Sequence, residues 1–363
     1  MIRAFGGPRL YLQGPGALRE LGRVVAGIAE HAALVSDGDV LGRYGAAVEQ
    51  VLRDARVSVG SATLAGEVSD ASVAALDAAL PREARCVVGL GGGRSIDAAK
   101  AIALKRGLPV VTVPTAASND SPTSRIFVMY HEDGALDRVE RLPRSPEAVI
   151  VDTELLLRAP PALLRAGIGD GLTKRFEAEG CAAVDGITPQ GTRPLHTAGA
   201  IAAHGFATLL AHAPQAMADA VAGRLSPAFE AVVEAVILMS GLGFENGGLS
   251  LAHSLTRGFT REPAVATVRH GEQVAFGLLV QLHLTPGAEA TLRELIPFCA
   301  KLGLPTRLAD IGLSRHHVAV LDRIAAATLT APHIGHLPGP PLTAPAIRDA
   351  MLAVDALAAQ EAS

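Results

Sequence analysis

Along the first 160 residues, short apolar runs alternate with stretches that repeat apolar positions every three or four residues. The runs AALVSD (32 to 37), CVVGLGGG (86 to 93) and PVVTVPT (109 to 115) are rich in β-branched residues and bounded by Gly, Pro or Asp. That pattern predicts short parallel strands buried on both faces. Between them, LGRYGAAVEQVLRDA and SIDAAKAIALKRG carry helical spacing. The resulting β-α-β rhythm predicts a doubly wound nucleotide-binding sheet. FVMYHEDGALDRVERL, with its DG pair, predicts a hairpin, and EAVIVDTELL a further strand running up to the breaker APPALL at 159 to 164. From Leu163 onward the pattern is almost wholly that of alanine- and leucine-rich helices, ending in ALAAQEAS, which predicts a fraying terminal helix. The expected organisation is an α/β domain over 1–160 and an all-α domain over 161–363, with no internal repeat.

Composition narrows the function classes. The chain has 363 residues, enough for two domains, and is 49% hydrophobic. No apolar run is expected to be long enough, and free enough of breakers, to span a bilayer. With 32 basic and 36 acidic residues the formal charge is -4, which gives neither nucleic acid nor an acidic membrane surface a reason to bind. Only 3% of residues are aromatic, too few for base-stacking platforms. The three cysteines, Cys86, Cys181 and Cys299, form no CxxC pair. The N-terminus MIRAFGGPRLYLQG has no secretory pattern, so a cytoplasmic address is expected.

Two segments carry candidate chemistry. In GLGGGRSIDAAK, Gly89, Gly91, Gly92 and Gly93 follow a strand and precede a helix expected to start near Arg94 or Ser95. Such a turn lets backbone approach a pyrophosphate at a helix N-terminus, although the spacing is neither GxGxxG nor a Walker A motif. A tight structural turn has the same signature. Asp37, at the end of an expected strand, suits ribose hydroxyls and disfavours a 2′-phosphate; a simple helix N-cap fits it equally. In the polar loop VPTAASNDSPTS, Thr115 and Ser118 can donate to a nicotinamide or phosphates, and Asp120 can accept from a substrate hydroxyl. Further on, Asp170, His253 and His270 each sit in a glycine-marked helical context. One carboxylate and two imidazoles make a three-ligand set that leaves a coordination position open. His196, His204, His212, His333 and His336 receive no role.

The stretches GGGRSIDAAKA, PVVTVPTAASNDSP, AGIGDGL.K.FEAE, MSGLGFENGGLSLAHSL and RHGEQVAFG occur in order along essentially the whole chain. Together they resemble the glycerol dehydrogenase branch of the metal-dependent (group III, iron-containing) alcohol dehydrogenase superfamily. The resemblance implies a Rossmann-like N-terminal domain, a helical C-terminal domain and a homo-oligomer. It implies Asp170, His253 and His270 as metal ligands, and Asp37, Gly91, Gly92, Gly93, Arg94, Ser95, Asp97, Thr115, Ser118, Ser124, Ile126 and Tyr130 as NAD contacts. Asp120 is similar to the aspartate that meets the substrate hydroxyl. The iron-using branch has a histidine one turn after its aspartate, where this chain has Lys174. Three ligands plus water suit zinc, with iron, nickel and manganese as alternatives.

The implied activity is reversible NAD-dependent oxidation of a secondary hydroxyl on a small polyol or hydroxycarboxylate. Lys174 departs from the small neutral residue usual in glycerol dehydrogenases. At i+4 from Asp170 it shares the ligand's helix face, where a cation favours a carboxylate or phosphate, and Arg125 adds a second charge. A plain ion pair with Asp170 or Glu177 explains Lys174 equally well. Rival readings are oxidation and decarboxylation of a 3-hydroxy acid, a glycerol-1-phosphate dehydrogenase-like activity, and a dehydroquinate synthase-like reaction with transient oxidation.

Overall fold

The computed structural model describes residues 2–361, so the last two residues of the ALAAQEAS terminus lie outside the described part; the helix before them runs Ala344–Glu361. The chain divides into two compact units. One comprises Gly6–Leu163 with Asp219–Gly241; the other gathers Leu164–Ala218, the chain from Leu242 onward and the residues ahead of Gly6.

The first unit is built on a six-stranded parallel sheet. Its strands are β1 (Leu10–Gly14), β2 (His31–Asp37), β3 (Ser58–Leu64), β4 (Cys86–Gly91), β5 (Val110–Pro114) and β8 (Ala148–Asp152). They lie in the order β1-β8-β5-β4-β2-β3. Two strands, β6 (Ile126–Tyr130) and β7 (Leu136–Arg141), form the expected antiparallel hairpin. The central strands β4, β5 and β8 are buried at every position, because helices cover both faces and leave no solvent side to demand alternation. TELL, expected to continue the last strand, is instead a helical turn: Asp152 accepts from the backbone N–H groups of Glu154 and Leu155 and so stops the strand. Gly89 lets the helix Gly93–Arg106 lie against β4, since a Cβ there would come within 2.7 Å of the Ala99 methyl.

The second unit is helical. Its long elements include Pro161–Ala183, Leu251–Phe259, His270–Leu284, Glu289–Leu302, Val318–Thr328 and Ala344–Glu361. The expectation of no membrane-length apolar run needs correction: Pro227–Gly247 reaches that length and apolarity, with half of its apolar window buried inside the protein.

Backbone-to-backbone approach through glycine sets the helix spacing. A Cβ on Gly271 would fall 1.8 Å from the Ala166 carbonyl oxygen, and one on Gly169 would fall 2.5 Å from the Gly271 carbonyl. On the next turns of the His270–Leu284 helix, a Cβ at Gly277 would meet the Ala252 carbonyl at 2.6 Å. Gly271→Ala is expected to cost about 3 kcal/mol or more, because rigid backbone has to move apart. Urea denaturation monitored by circular dichroism measures this; a loss under about 1 kcal/mol would mean that the two helices separate easily.

Candidate metal and cofactor sites

Asp170, His253 and His270 come from three helices of the helical unit, and their ligand atoms all lie within 4.8 Å of one another. Asp170 Oδ1 and His253 Nε2 are 3.3 Å apart, close to the roughly 3.3 Å edge of a tetrahedral zinc site with 2.0–2.1 Å bonds. The two imidazole centroids are 5.4 Å apart. Asp170 is 1% exposed, whereas His270, the first residue of its helix, is exposed.

Glu177, which the sequence offers only as an ion-pair partner for Lys174, completes the arrangement. It lies two turns along the same helix from Asp170 and is fully buried. Its Oε2 is 2.6 Å from His253 Nδ1 and accepts from the Thr173 hydroxyl at 3.1 Å. Its Oε1 accepts from the backbone N–H of Ser250 at 2.9 Å and of His253 at 3.1 Å. With Nδ1–H donating to this carboxylate, the Nε2 lone pair is left facing Asp170, the carboxylate–histidine geometry that fixes a metal-ligating imidazole. The donor set, its spacing and this orienting carboxylate fit a divalent cation.

Charge balance holds the cluster. Burial pushes the Asp170 carboxyl up, but the Lys174 ammonium and the two histidines outweigh it and hold Asp170 well below the usual carboxylate range. Burial likewise raises Glu177, yet His253 and Lys174 bring it down to about 2. Lys174, itself 2% exposed, donates to Asp170 Oδ1 at 2.7 Å, and its Nζ lies 3.2 Å from His253 Nε2. The ion pair with Asp170, the plainer of the two readings of this lysine, is therefore present.

In the sheet unit, Asp37, Gly91, Gly92, Gly93 and Thr115 lie at the carboxyl ends of β2, β4 and β5, whereas Asp97 lies within the Gly93–Arg106 helix and Ile126 and Tyr130 on β6. Gly91 has φ +143°, and a Cβ there would strike the Ser95 side chain at 2.6 Å. Gly92 caps the Gly93–Arg106 helix without any side-chain cap, and a Cβ on it would meet only open space. That bare helix end and open backbone fit a phosphate group. Asp37 serves as an N-cap, accepting from Val40 N–H at 2.9 Å, and its other oxygen accepts from the Ser95 hydroxyl at 2.9 Å. Arg94 is exposed and paired with Glu67 at 2.8 Å. Thr115 is buried, with its N–H on the Gly91 carbonyl at 3.0 Å, while Ser118 is half-buried.

Several of the other residues hold the loop itself. Asp97 accepts from the Ser121 hydroxyl at 2.6 Å and Val128 N–H at 3.1 Å. Ser124 Oγ accepts from Ile126 N–H at 3.0 Å. The fully buried Lys100 donates to the carbonyls of Ser121 and Ile126 at 2.6 and 2.7 Å. Tyr130 is half-buried on β6 and hydrogen-bonds through its N–H to Val68. Arg125, just before β6, is half-buried too. Asp120 is 8% exposed and accepts from the Ser240 hydroxyl at 3.0 Å. Next to Ser240, a Cβ on Gly241 would lie 2.7 Å from Thr123 Cβ. Neither Lys100 nor Ser240 stood out in the sequence; the AAK of the glycine-rich segment was a signal for the first, and the second had none.

Comparison with known proteins agrees with this architecture. A family model described as iron-containing alcohol dehydrogenase matches residues 12–160. A glycerol dehydrogenase of Pseudomonas putida is 36% identical over 360 residues, covering 98% of each chain. The crystal structure of a probable glycerol dehydrogenase from Sinorhizobium meliloti superposes with a TM-score of 0.92 at 36% identity, covering 99% of both chains. Hydroxycarboxylate dehydrogenase A of Escherichia coli is 34% identical over 269 residues, 73% of each chain. The chain belongs to the iron-containing alcohol dehydrogenase family. Within that family, the relatives aligned along its whole length include glycerol dehydrogenases.

Two measurements test the role given to Glu177. Glu177→Gln is expected to weaken zinc binding by about 10- to 100-fold, measured by calorimetric titration of chelator-treated protein. The second concerns acid stability without metal. The folded-state carboxyl is depressed from 4.5 to about 2. Its contribution, on the order of 3 kcal/mol, is therefore full above pH 4.5 and lost as the pH falls toward 2. Acid denaturation of the wild type should steepen across that window, and the Gln variant should show a shallower decline.

Proposed function

We propose that the protein is a reversible dehydrogenase that oxidises a secondary hydroxyl of a small polyol or hydroxycarboxylate, using NAD and a divalent metal. The observation that carries this reading is the three-ligand cluster whose His253 is oriented by Glu177, in a chain of this family. We assign NAD to the residues before about 160, on Asp37, Gly91, Gly92, Gly93, Arg94, Ser95, Asp97, Thr115, Ser118, Ser124, Ile126 and Tyr130. The metal falls to the segment 161–363. Zinc suits a set of two imidazoles and one carboxylate with an open position, since Lys174 stands where a fourth protein ligand would be needed. A cytoplasmic homo-oligomer completes the reading.

When bound, the metal supplies Lewis acidity toward a hydroxyl, and NAD accepts a hydride. The protein's own groups do the positioning. Asp170, His253 and His270 hold the cation in one place. Glu177 accepts from His253 Nδ1–H, which fixes the tautomer, turns the Nε2 lone pair toward the cation and makes the imidazole a more basic ligand. Asp120, fixed by Ser240, accepts from a substrate hydroxyl and sets its direction. The buried Lys174 ammonium lies beside the ligand atoms and favours an anionic group on the substrate, which selects hydroxycarboxylates over neutral polyols.

The activity test follows NADH absorbance with glycerol, vicinal diols, and 2- and 3-hydroxy acids, before and after chelation and zinc restoration. NADH should form with at least one substrate, disappear on chelation and return with zinc. Silence across the whole panel with zinc present would refute the dehydrogenase reading. Lys174→Thr should lower kcat/KM for hydroxy acids by roughly tenfold or more, and that for glycerol by less than about threefold. Equal losses on both classes would remove the case for charge recognition.

A further inference from the structure

Lys174 departs from a plain helical ion pair in one respect: it meets two metal ligands at once. Its Nζ lies 2.7 Å from Asp170 Oδ1 and 3.2 Å from His253 Nε2, and those two atoms are themselves 3.3 Å apart. The ammonium therefore sits against the same edge of the cluster that a divalent cation would bridge. A zinc ion bonded to both atoms at about 2.0–2.2 Å would lie within about 4 Å of Nζ, whichever side of that edge it took. Both Lys174 and Asp170 are almost fully buried, so water does little to screen one cation from the other.

We propose that the Lys174 ammonium and the divalent metal are competing occupants of the Asp170–His253 edge, so that this chain carries its own counter-cation for its metal site. The inference rests on the metal-site reading above, and goes beyond it by giving Lys174 a role in metal affinity. Without the metal, the ammonium neutralises a carboxylate that would otherwise be a buried, uncompensated charge. Metal entry takes over that neutralisation and releases Nζ from Asp170, leaving the ammonium at the site to meet an anionic substrate group. The lysine stem is long and flexible. The Phe244 ring, whose centroid is 5.4 Å from Nζ, offers the displaced cation an electron-rich face. Each binding event must break the Lys174–Asp170 pair, so metal affinity is lower than the three ligands alone would give. In return, the unloaded protein keeps its fold.

The test compares chelator-stripped, full-length wild type with Lys174→Met and Lys174→Gln. Zinc affinity is read by competition with a fluorescent chelator, and melting temperature is taken with and without zinc. Both variants should bind zinc at least tenfold more tightly than wild type. Without metal they should melt below wild type, and zinc should close that gap. A role in packing alone would lower the melting temperature in both states and would not tighten zinc binding. Should the Met variant fail to fold without metal, the Gln variant, which retains a hydrogen-bond donor, supplies the same comparison. Equal or weaker zinc affinity in the variants overturns the competition and leaves the metal site standing. Failure of all three proteins to bind zinc overturns both. Neither readout depends on turnover, so the dehydrogenase reading is judged separately.

Discussion

Close backbone contact between helices is the constraint on which the convergence of Asp170, His253 and His270 depends. Asp170 follows Gly169, and His270 precedes Gly271; these two glycines are where the Pro161–Ala183 and His270–Leu284 helices touch. The His253 helix is brought in by Gly277, which leaves room for the Ala252 carbonyl, one residue before the ligand. A Cβ at these glycines would lie 1.8 to 2.6 Å from a facing carbonyl oxygen, so the backbones would have to move apart to admit it. That shift would spread the candidate ligand atoms, which lie within 4.8 Å of each other. Ligand chemistry and helix packing are thus one problem, solved by placing the smallest residue beside or near each ligand.

Electrostatics imposes the second condition. Two carboxylates, Asp170 and Glu177, are buried within two turns of one helix, where charge is costly unless paired. Glu177 meets it with two backbone N–H groups, a threonine hydroxyl and an imidazole. Asp170 meets it with Lys174 and the two histidines. The two differ in kind: Glu177 is saturated by backbone, hydroxyl and imidazole donors and orients His253, whereas Asp170 is balanced by the Lys174 ammonium and the nearby imidazoles. That difference explains why two acids seven residues apart carry separate tasks.

The sheet unit uses a comparable device on the loop after β5. Lys100 and Asp97, one turn apart on the Gly93–Arg106 helix, reach the loop from below through Ser121, Ile126 and Val128. Ser240 and Gly241 fix its Asp120–Thr123 turn from another helix. The loop backbone is therefore pinned at several points, and in the glycine-rich turn beside β4 Gly92 faces open space while Gly91 and Gly93 are closed in by Ser95 and Asn119.

Strand and helix periodicity, the order of the motifs and the Asp170, His253 and His270 trio that the fold brings together were readable from the chain, because short buried strands and helix-borne side chains leave residue patterns in their own segments. The edge strands β1 and β3 escaped notice: LYLQG and SVGSATL mix polar and small residues, and only pairing with β8 and β2 makes them strands. The partition of Asp219–Gly241 into the sheet unit was equally silent, since its helical pattern matches that of its neighbours. Glu177 was visible as an acid on the ligand's helix face, but its grip on His253 joins residues 76 positions apart. Lys174 could be placed beside Asp170 by helical spacing alone. Its second contact, with His253 Nε2, comes from another helix, and only the folded chain could decide it.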